Sequence, residues 1–177
     1  MASDEQLMLR YCRGNRQAMA DLIERYRDEM LNFFYRRVDS QALAEDLVQE
    51  LFLKVIRHAA GFKARSKFST WLYRIAINQL KNYYRRPKLE ALSEKTDAIE
   101  KSAVTPDDHS TTIHLKADLN RFISKLKKEF QIILELTYFQ DLDTEEVARV
   151  LELPVGTVKS RRFYALRQLG KLMQESE

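Results

Sequence analysis

The sequence predicts an all-α protein, and three observations carry that expectation. Glycine and proline are scarce, four and three in 177 residues, too few for the turns a sheet-rich chain of this length needs. The common residues are helix formers, chiefly Leu, Ala, Glu, Lys, Arg and Gln. Apolar side chains also recur at helical spacing along most of the chain. The expected architecture is two small helical domains, residues 1–88 and 116–177, joined by an acidic flexible linker over 89–115.

The opening "MASDEQLMLR" is polar from its start and reads as no signal peptide. The first segment is helical throughout. After Gly14, "NRQAMADLIERYRDEMLNFFYRRV" sets Met19, Leu22, Ile23, Tyr26, Met30, Phe33 and Phe34 near one face, with Asn15 as N-cap. In "ALAEDLVQELFLKVI" the stripe is Leu43, Leu47, Val48, Leu51, Phe52 and Val55. Asp46, Gln49, Glu50 and Leu53 lie on the other side of that helix. Asp46 and Glu50, four apart, repel slightly without a basic partner. A solvated face and a docking face for a basic protein surface explain them equally.

"RHAAGFKARSK" then reads as a loop, non-periodic and basic around Gly61. The helix "FSTWLYRIAINQLKNYYRR" is expected to bury Trp71, Leu72, Ile75 and Leu80. Pro87 halts it, since proline cannot donate to the helix ladder. Residues 88 to about 115 have irregular spacing and few aromatics, as a flexible linker does.

Strong periodicity returns in "LKADLNRFISKL", "EFQIILELTYF", "TEEVARVLEL" and "PVGTVKSRRFYALRQL". These read as four helices around Leu126, Ile133, Leu136, Val147, Val150 and Val158, a module marginal on its own. Two of them have the layout of a helix-turn-helix. Asp143 and Glu146 form a capping box, Val147, Ala148 and Leu151 face inward, and Pro154 sits in the first turn of the second helix. With Val158 and Leu166 buried, that helix presents Lys159, Ser160, Arg162, Phe163 and Arg167. Gly156 and Thr157 are small, and a helix N-terminus favours an anion. An ordinary basic amphipathic helix is the bland alternative; the capped helix and short turn before it favour DNA binding.

Charge distribution says more than the net charge of +4. No Asp or Glu occurs from Leu51 through Leu89, nor from Leu153 through Gln174, whereas Glu90 to Asp118 is net acidic. In the first acid-free run cations alternate with aromatics, the pairing that single-stranded nucleic acid binders use for backbone and unstacked bases. Trp71 reads as core. The loop "FKARSK" and the face bearing Asn78, Lys81, Asn82 and Arg85 do not, because buried there they would lack partners.

The single cysteine, Cys12, excludes an intramolecular disulfide and a Cys-cluster zinc site; it reads as packing beside a helix. No apolar run is long enough to cross a bilayer, and a reducing cytoplasm fits. His58, His109 and His114 stand apart from any acid or nucleophile, and no phosphate loop or metal spacing occurs. Neither an enzyme nor a cofactor or metal is expected.

Taken together, "AEDLVQELFLKV", "GFKARSKFSTWLYRIAINQLKNYYRR", the acidic linker and "TEEVARVLELPVGTVKSR" resemble a bacterial sigma factor of the extracytoplasmic-function type, in order and spacing over nearly the whole chain. The resemblance implies a transcription initiation factor keeping only the second and fourth sigma domains. Asp46, Gln49, Glu50 and Leu53 would dock on the β′ clamp helices of core RNA polymerase, with the β flap as a further contact. Phe62, Lys63, Arg65, Ser66, Lys67, Asn78, Lys81, Asn82, Arg85 and Arg86 would open the −10 promoter element and hold flipped bases. Lys159, Ser160, Phe163 and Tyr164 would read the −35 element, with Thr157, Arg161, Arg162 and Arg167 nearer phosphates. The linker would thread toward the RNA exit path. An anti-sigma partner, often membrane-bound in such systems, and a stress, envelope or metal response are also implied.

Two departures from the family pattern occur. Leu126-Lys127 stands where Leu-Pro is usual, and Tyr164-Ala165-Leu166 stands where Arg-Ala-Arg is common. Losing two cations implies weaker phosphate contact or a changed −35 preference. The alternative is a free-standing helix-turn-helix regulator, which leaves "DLVQE" and the aromatic basic block unexplained.

Overall fold

The structure, a computed structural model, describes residues 2–38, 40–85 and 119–175. Every regular element among the described residues is helical, and they divide into an N-terminal and a C-terminal compact unit.

The N-terminal unit begins with α1, Asp4–Cys12, opened by a capping box in which Ser3 and Gln6 bond each other's backbone. Gly14, at φ +99, makes the left-handed turn that leads into α2. α2, Arg16–Tyr35, starts as expected on Asn15, whose side chain accepts the Ala18 N–H at 3.3 Å. α3, Gln41–His58, is capped by Ser40. It runs on through Arg57 and His58, which the basic, non-periodic sequence assigns to the following loop. Basic side chains in a last helical turn interact favourably with the helix dipole, and that extends α3. A 3₁₀ turn, Ala59–Gly61, and a loop over 62–67 lead to α4, Phe68–Arg85.

α1 packs on α2 and α4, and α3 packs on α2 and α4. Leu22, Met30, Phe33, Phe34, Leu51, Phe68, Leu72 and Tyr73 are buried to the last few square ångströms, each contributing roughly 1.5–3 kcal/mol if aliphatic or aromatic. Phe33 meets Tyr73 edge-on, with centroids 5.2 Å apart, and the Tyr73 hydroxyl donates to Glu29 at 2.8 Å. Cys12 is exposed rather than packed, its thiol 3.3 Å from the Ala59 carbonyl.

In the C-terminal unit, α5 is described from residue 119 to 124, followed by α6, Lys128–Leu134. The missing Leu-Pro is replaced by a side chain. The Gln131 amide donates to the carbonyls of Ser124 and Leu126, at 3.1 and 2.8 Å, and closes the α5–α6 corner. α6 continues into a π turn over Glu135–Phe139, closed by the Gln140 N–H on the Glu135 carbonyl. Then come α7, Thr144–Leu151, and α8, Val155–Gln174. Pro154 is the N-cap of α8, one residue before its expected place in the first turn.

Leu126, Ile133, Leu136, Val147, Val150 and Val158 are all buried, as the periodicity requires. Leu126, Leu134, Ala165 and Leu169 cluster with Phe122, Ile123 and Phe130 against them. The acidic linker, Arg86 and Pro87 lie outside the described residues.

Candidate nucleic-acid interface

On α3 the core stripe turns Leu47, Val48, Leu51, Phe52 and Val55 inward, leaving Asp46, Gln49, Glu50 and Leu53 exposed together. Glu50 does have a basic partner, contrary to the sequence expectation. Lys54 lies 2.8 Å from its Oε1, one turn on, an i,i+4 Glu–Lys pair that the sequence itself contains. The other oxygen, Oε2, accepts from the Gln79 amide at 3.1 Å. Gln79, buried in α4, also donates to the Leu47 carbonyl at 2.9 Å. The acidic face is therefore braced from α4.

The basic loop lies between two buried aromatic anchors, Phe62 and Phe68. Phe62 was expected on the DNA side. Its ring is instead buried, edge-on to Trp71 at 5.4 Å, and its N–H closes the 3₁₀ turn on Ala59. Burying a phenylalanine outweighs exposing it, by roughly 1.5–3 kcal/mol. Between the anchors Lys63, Arg65 and Lys67 are exposed and Ser66 is half-buried, with the backbone left-handed at Ala64, φ 49. Along α4, Asn78 is half-buried while Lys81, Asn82 and Arg85 are exposed; Arg85 donates to Asn82 at 3.1 Å.

Trp71 is half-buried rather than core. It lines an open cleft of about 470 Å³ together with Arg57, His58, Gly61, Arg74, Ile75 and Asn78, within the size range of small-ligand sites. Sequence reasoning missed Arg57 and His58 by assigning them to a loop. It missed Trp71 because an indole at helical spacing reads as core. Spacing alone could not have found it, since Tyr73, equally offset from Leu72, is fully buried.

The second unit carries the helix-turn-helix. Asp143 and Glu146 bond reciprocally, Glu146 N–H to Asp143 Oδ1 at 2.7 Å and Asp143 N–H to Glu146 Oε2 at 2.9 Å. On α8 the inward register is Val158, Ala165 and Leu169. Leu166, expected inside, is 42% exposed. Seven and eleven residues beyond Val158 is where a 3.6-residue repeat returns, and Leu166 is one position past it.

That rotation also sorts the cations. Arg161 pairs with Glu129 at 3.2 Å, and Arg162 donates to Thr144 at 3.3 Å; both are half-buried. Thr157 is half-buried, and its carbonyl accepts the Ser160 hydroxyl at 3.0 Å. Lys159, Phe163, Tyr164 and Arg167 share the exposed face, the two rings edge-on at 5.6 Å. An exposed aromatic pair flanked by cations can stack on or pack against bases while neutralising phosphates.

Among the described residues no group of acids, His and Cys could hold a metal, and no helix is long and apolar enough to cross a membrane.

Comparison with known proteins adds to this geometry. The Sigma-70 region 2 family matches residues 22–89, and the Sigma-70, region 4 family matches residues 116–169. The chain is 33% identical to the RNA polymerase sigma-H factor of Pseudomonas aeruginosa, covering 97% of this chain and 94% of that one. It is 31% identical to the ECF RNA polymerase sigma factor SigW of Bacillus subtilis, covering 92% of each. In fold it is similar to CnrH, solved in complex with the cytosolic domain of CnrY. The TM-score is 0.71 at 21% identity, over 99% of this chain and 100% of that one.

Proposed function

This chain belongs to the sigma-70 family, to its extracytoplasmic-function type, and from that premise we propose how its surfaces divide the work of promoter recognition. The chain is a transcription initiation factor and not an enzyme. Residues 1–88 form sigma region 2, 89–115 the acidic linker and 116–177 sigma region 4. The exposed acidic face of α3, Asp46, Gln49, Glu50 and Leu53, docks on the β′ clamp helices of core polymerase. Region 4 meets the β flap.

Lys63, Arg65, Ser66 and Lys67, with Asn78, Lys81, Asn82, Arg85 and Arg86, engage the −10 element. The cleft lined by Trp71 and Asn78 receives a base swung out of the stack, repaying a few kcal/mol of unstacking by π contact and hydrogen bonding. On α8, Lys159, Phe163 and Tyr164 read −35 base edges. Arg167 meets phosphate, while Arg161 and Arg162 support the helix. An anti-sigma partner holds the chain inactive by covering the polymerase-facing surfaces, and the chain works in the cytoplasm.

The observation that carries this division is the sorting of side chains on α8. Lys159, Phe163, Tyr164 and Arg167 share the exposed face, and Arg161 and Arg162 turn toward their own unit. The test is footprinting of promoter DNA with core polymerase, with the unaltered chain and with Glu50→Lys. The unaltered chain should protect two separated elements only when core is present. Glu50→Lys should keep its helicity and lose both core binding and the footprint. A footprint by the isolated chain would favour the free-standing regulator.

A further inference from the structure

α4 begins in an electrostatically poor setting. Its first turn contains no acid, and Lys63, Arg65 and Lys67 stand just before it. Cations at the positive end of a helix dipole are unfavourable, and a helix's first N–H groups need acceptors from outside its own ladder. A local Asp or Glu cap would supply both, at the cost of placing a negative charge in the loop that must approach phosphates.

The acceptor comes instead from the other end of the unit. Glu5 Oε1, on α1, accepts the N–H of Phe68, the first residue of α4, at 2.8 Å across 63 residues of sequence. Its neighbour Asp4 reinforces the contact. Asp4 accepts from Arg25 and from the Tyr26 hydroxyl, each at 2.6 Å, and the Tyr26 ring meets the Phe68 ring edge-on at 5.3 Å. Two consecutive acids of α1 thus hold Phe68, one by its backbone and one through a neighbouring ring. α1 is itself pinned at its start by the Ser3–Gln6 box.

We propose that Glu5 is a positioning residue for promoter opening: it caps α4 from a distance, so that the loop over 63–67 carries its cations with no acid among them and keeps a set orientation toward the −10 strand. The inference rests on the −10 assignment above. Glu5 does not touch DNA; it acts through Phe68. A carboxylate on α1 stabilises the helix start without standing among the loop cations.

The test uses the full chain with core polymerase on a promoter fragment recovered from random-sequence DNA by transcription with the unaltered protein. Three readouts are taken: the rate of strand opening from permanganate reactivity of unpaired thymines, affinity for core, and amide exchange at Phe68. Glu5→Ala should slow opening roughly three- to tenfold, as the loss of one helix cap does. Exchange at Phe68 should speed up, with core affinity unchanged. Glu5→Gln keeps an acceptor oxygen and should stay within about twofold of the unaltered chain, since the neutral bond retains most of the cap. Should Glu5→Ala not fold, Glu5→Asp, one methylene too short for the reach, carries the same expectation.

Opening at the unaltered rate in the shortened variants would overturn the proposal. So would a parallel fall of opening and core affinity in all three variants, which would mark Glu5 as merely structural. A Lys63→Ala, Arg65→Ala double variant separates the two readings. If it slows opening while Glu5→Ala does not, only the positioning role fails; if neither slows it, the −10 assignment fails as well.

Discussion

Gln79 is the side chain on which the two faces of the N-terminal unit meet, since one buried amide on α4 bonds both the Leu47 carbonyl and the Glu50 carboxylate. Gln79→Leu preserves volume and removes both bonds, leaving Glu50 oriented by Lys54 alone. We expect a fold of near-unchanged stability and an affinity for core polymerase lower by about three- to tenfold, the equivalent of one ordinary hydrogen bond of about 1 kcal/mol. A fluorescence titration against core would check it. On α8 the inward-turned cations and the exposed face make opposite predictions. Lys159→Ala should cost about 1–3 kcal/mol at the −35 site and relax sequence preference there, as loss of a base contact does. Arg161→Ala should leave that preference intact and lower folding stability by breaking the Glu129 pair, by about 1 kcal/mol or less for a half-exposed bridge. Competition binding on variant −35 sequences separates the two.

Tyr26 supplies a pH dependence. Burial, and then its hydrogen bond to Asp4, push the phenol well above its ordinary value near 10. The folded chain therefore keeps Tyr26 protonated where the unfolded chain begins to ionise. The contribution is full below the unfolded value and declines as pH rises above it. Tyr26→Phe should flatten that alkaline decline, measured as the difference in urea stability between pH values of about 9 and 11.

At the scale of elements, caps were the most legible features. Asn15 and the Asp143–Glu146 box do what their spacing requires, because a cap is a local contact between residues three apart. Asp143→Ala should cost about 1 kcal/mol and weaken −35 binding, since Thr144 at the start of α7 also receives Arg162 from α8. Differential scanning calorimetry with the binding assay would register both. Element ends and rotations were less legible. Arg57 and His58 extend α3 through a dipole effect that basic composition disguises as a loop. The rotation of α8 depends on which apolar residue meets Leu126 and Leu134, and Leu166 and Ala165 compete for that place in sequence. The Glu5 cap was invisible because its partner lies 63 residues away.

For the whole molecule, the acid-free runs proved more informative than the net charge. One falls on the end of α3, the loop and α4, the other on α8, so that each compact unit carries its own cationic face. Which cations stay exposed was not legible, because that depends on intramolecular partners such as Glu129 and Thr144. Divided recognition has a consequence for affinity. Each face alone neutralises few phosphates, so duplex binding by the free chain should be weak and lost with salt, at a slope of roughly 0.9 per phosphate contact. Tight, selective binding requires core polymerase to hold both faces on one DNA.

The most direct measurement is run-off transcription from a library of promoter fragments with purified core RNA polymerase, with and without this chain. Transcripts from a defined subset sharing two spaced elements, absent without the chain, are the result expected of a factor that reads −35 through α8 and opens −10 through α4. No chain-dependent transcripts, together with no binding to core polymerase by gel filtration, would contradict the account.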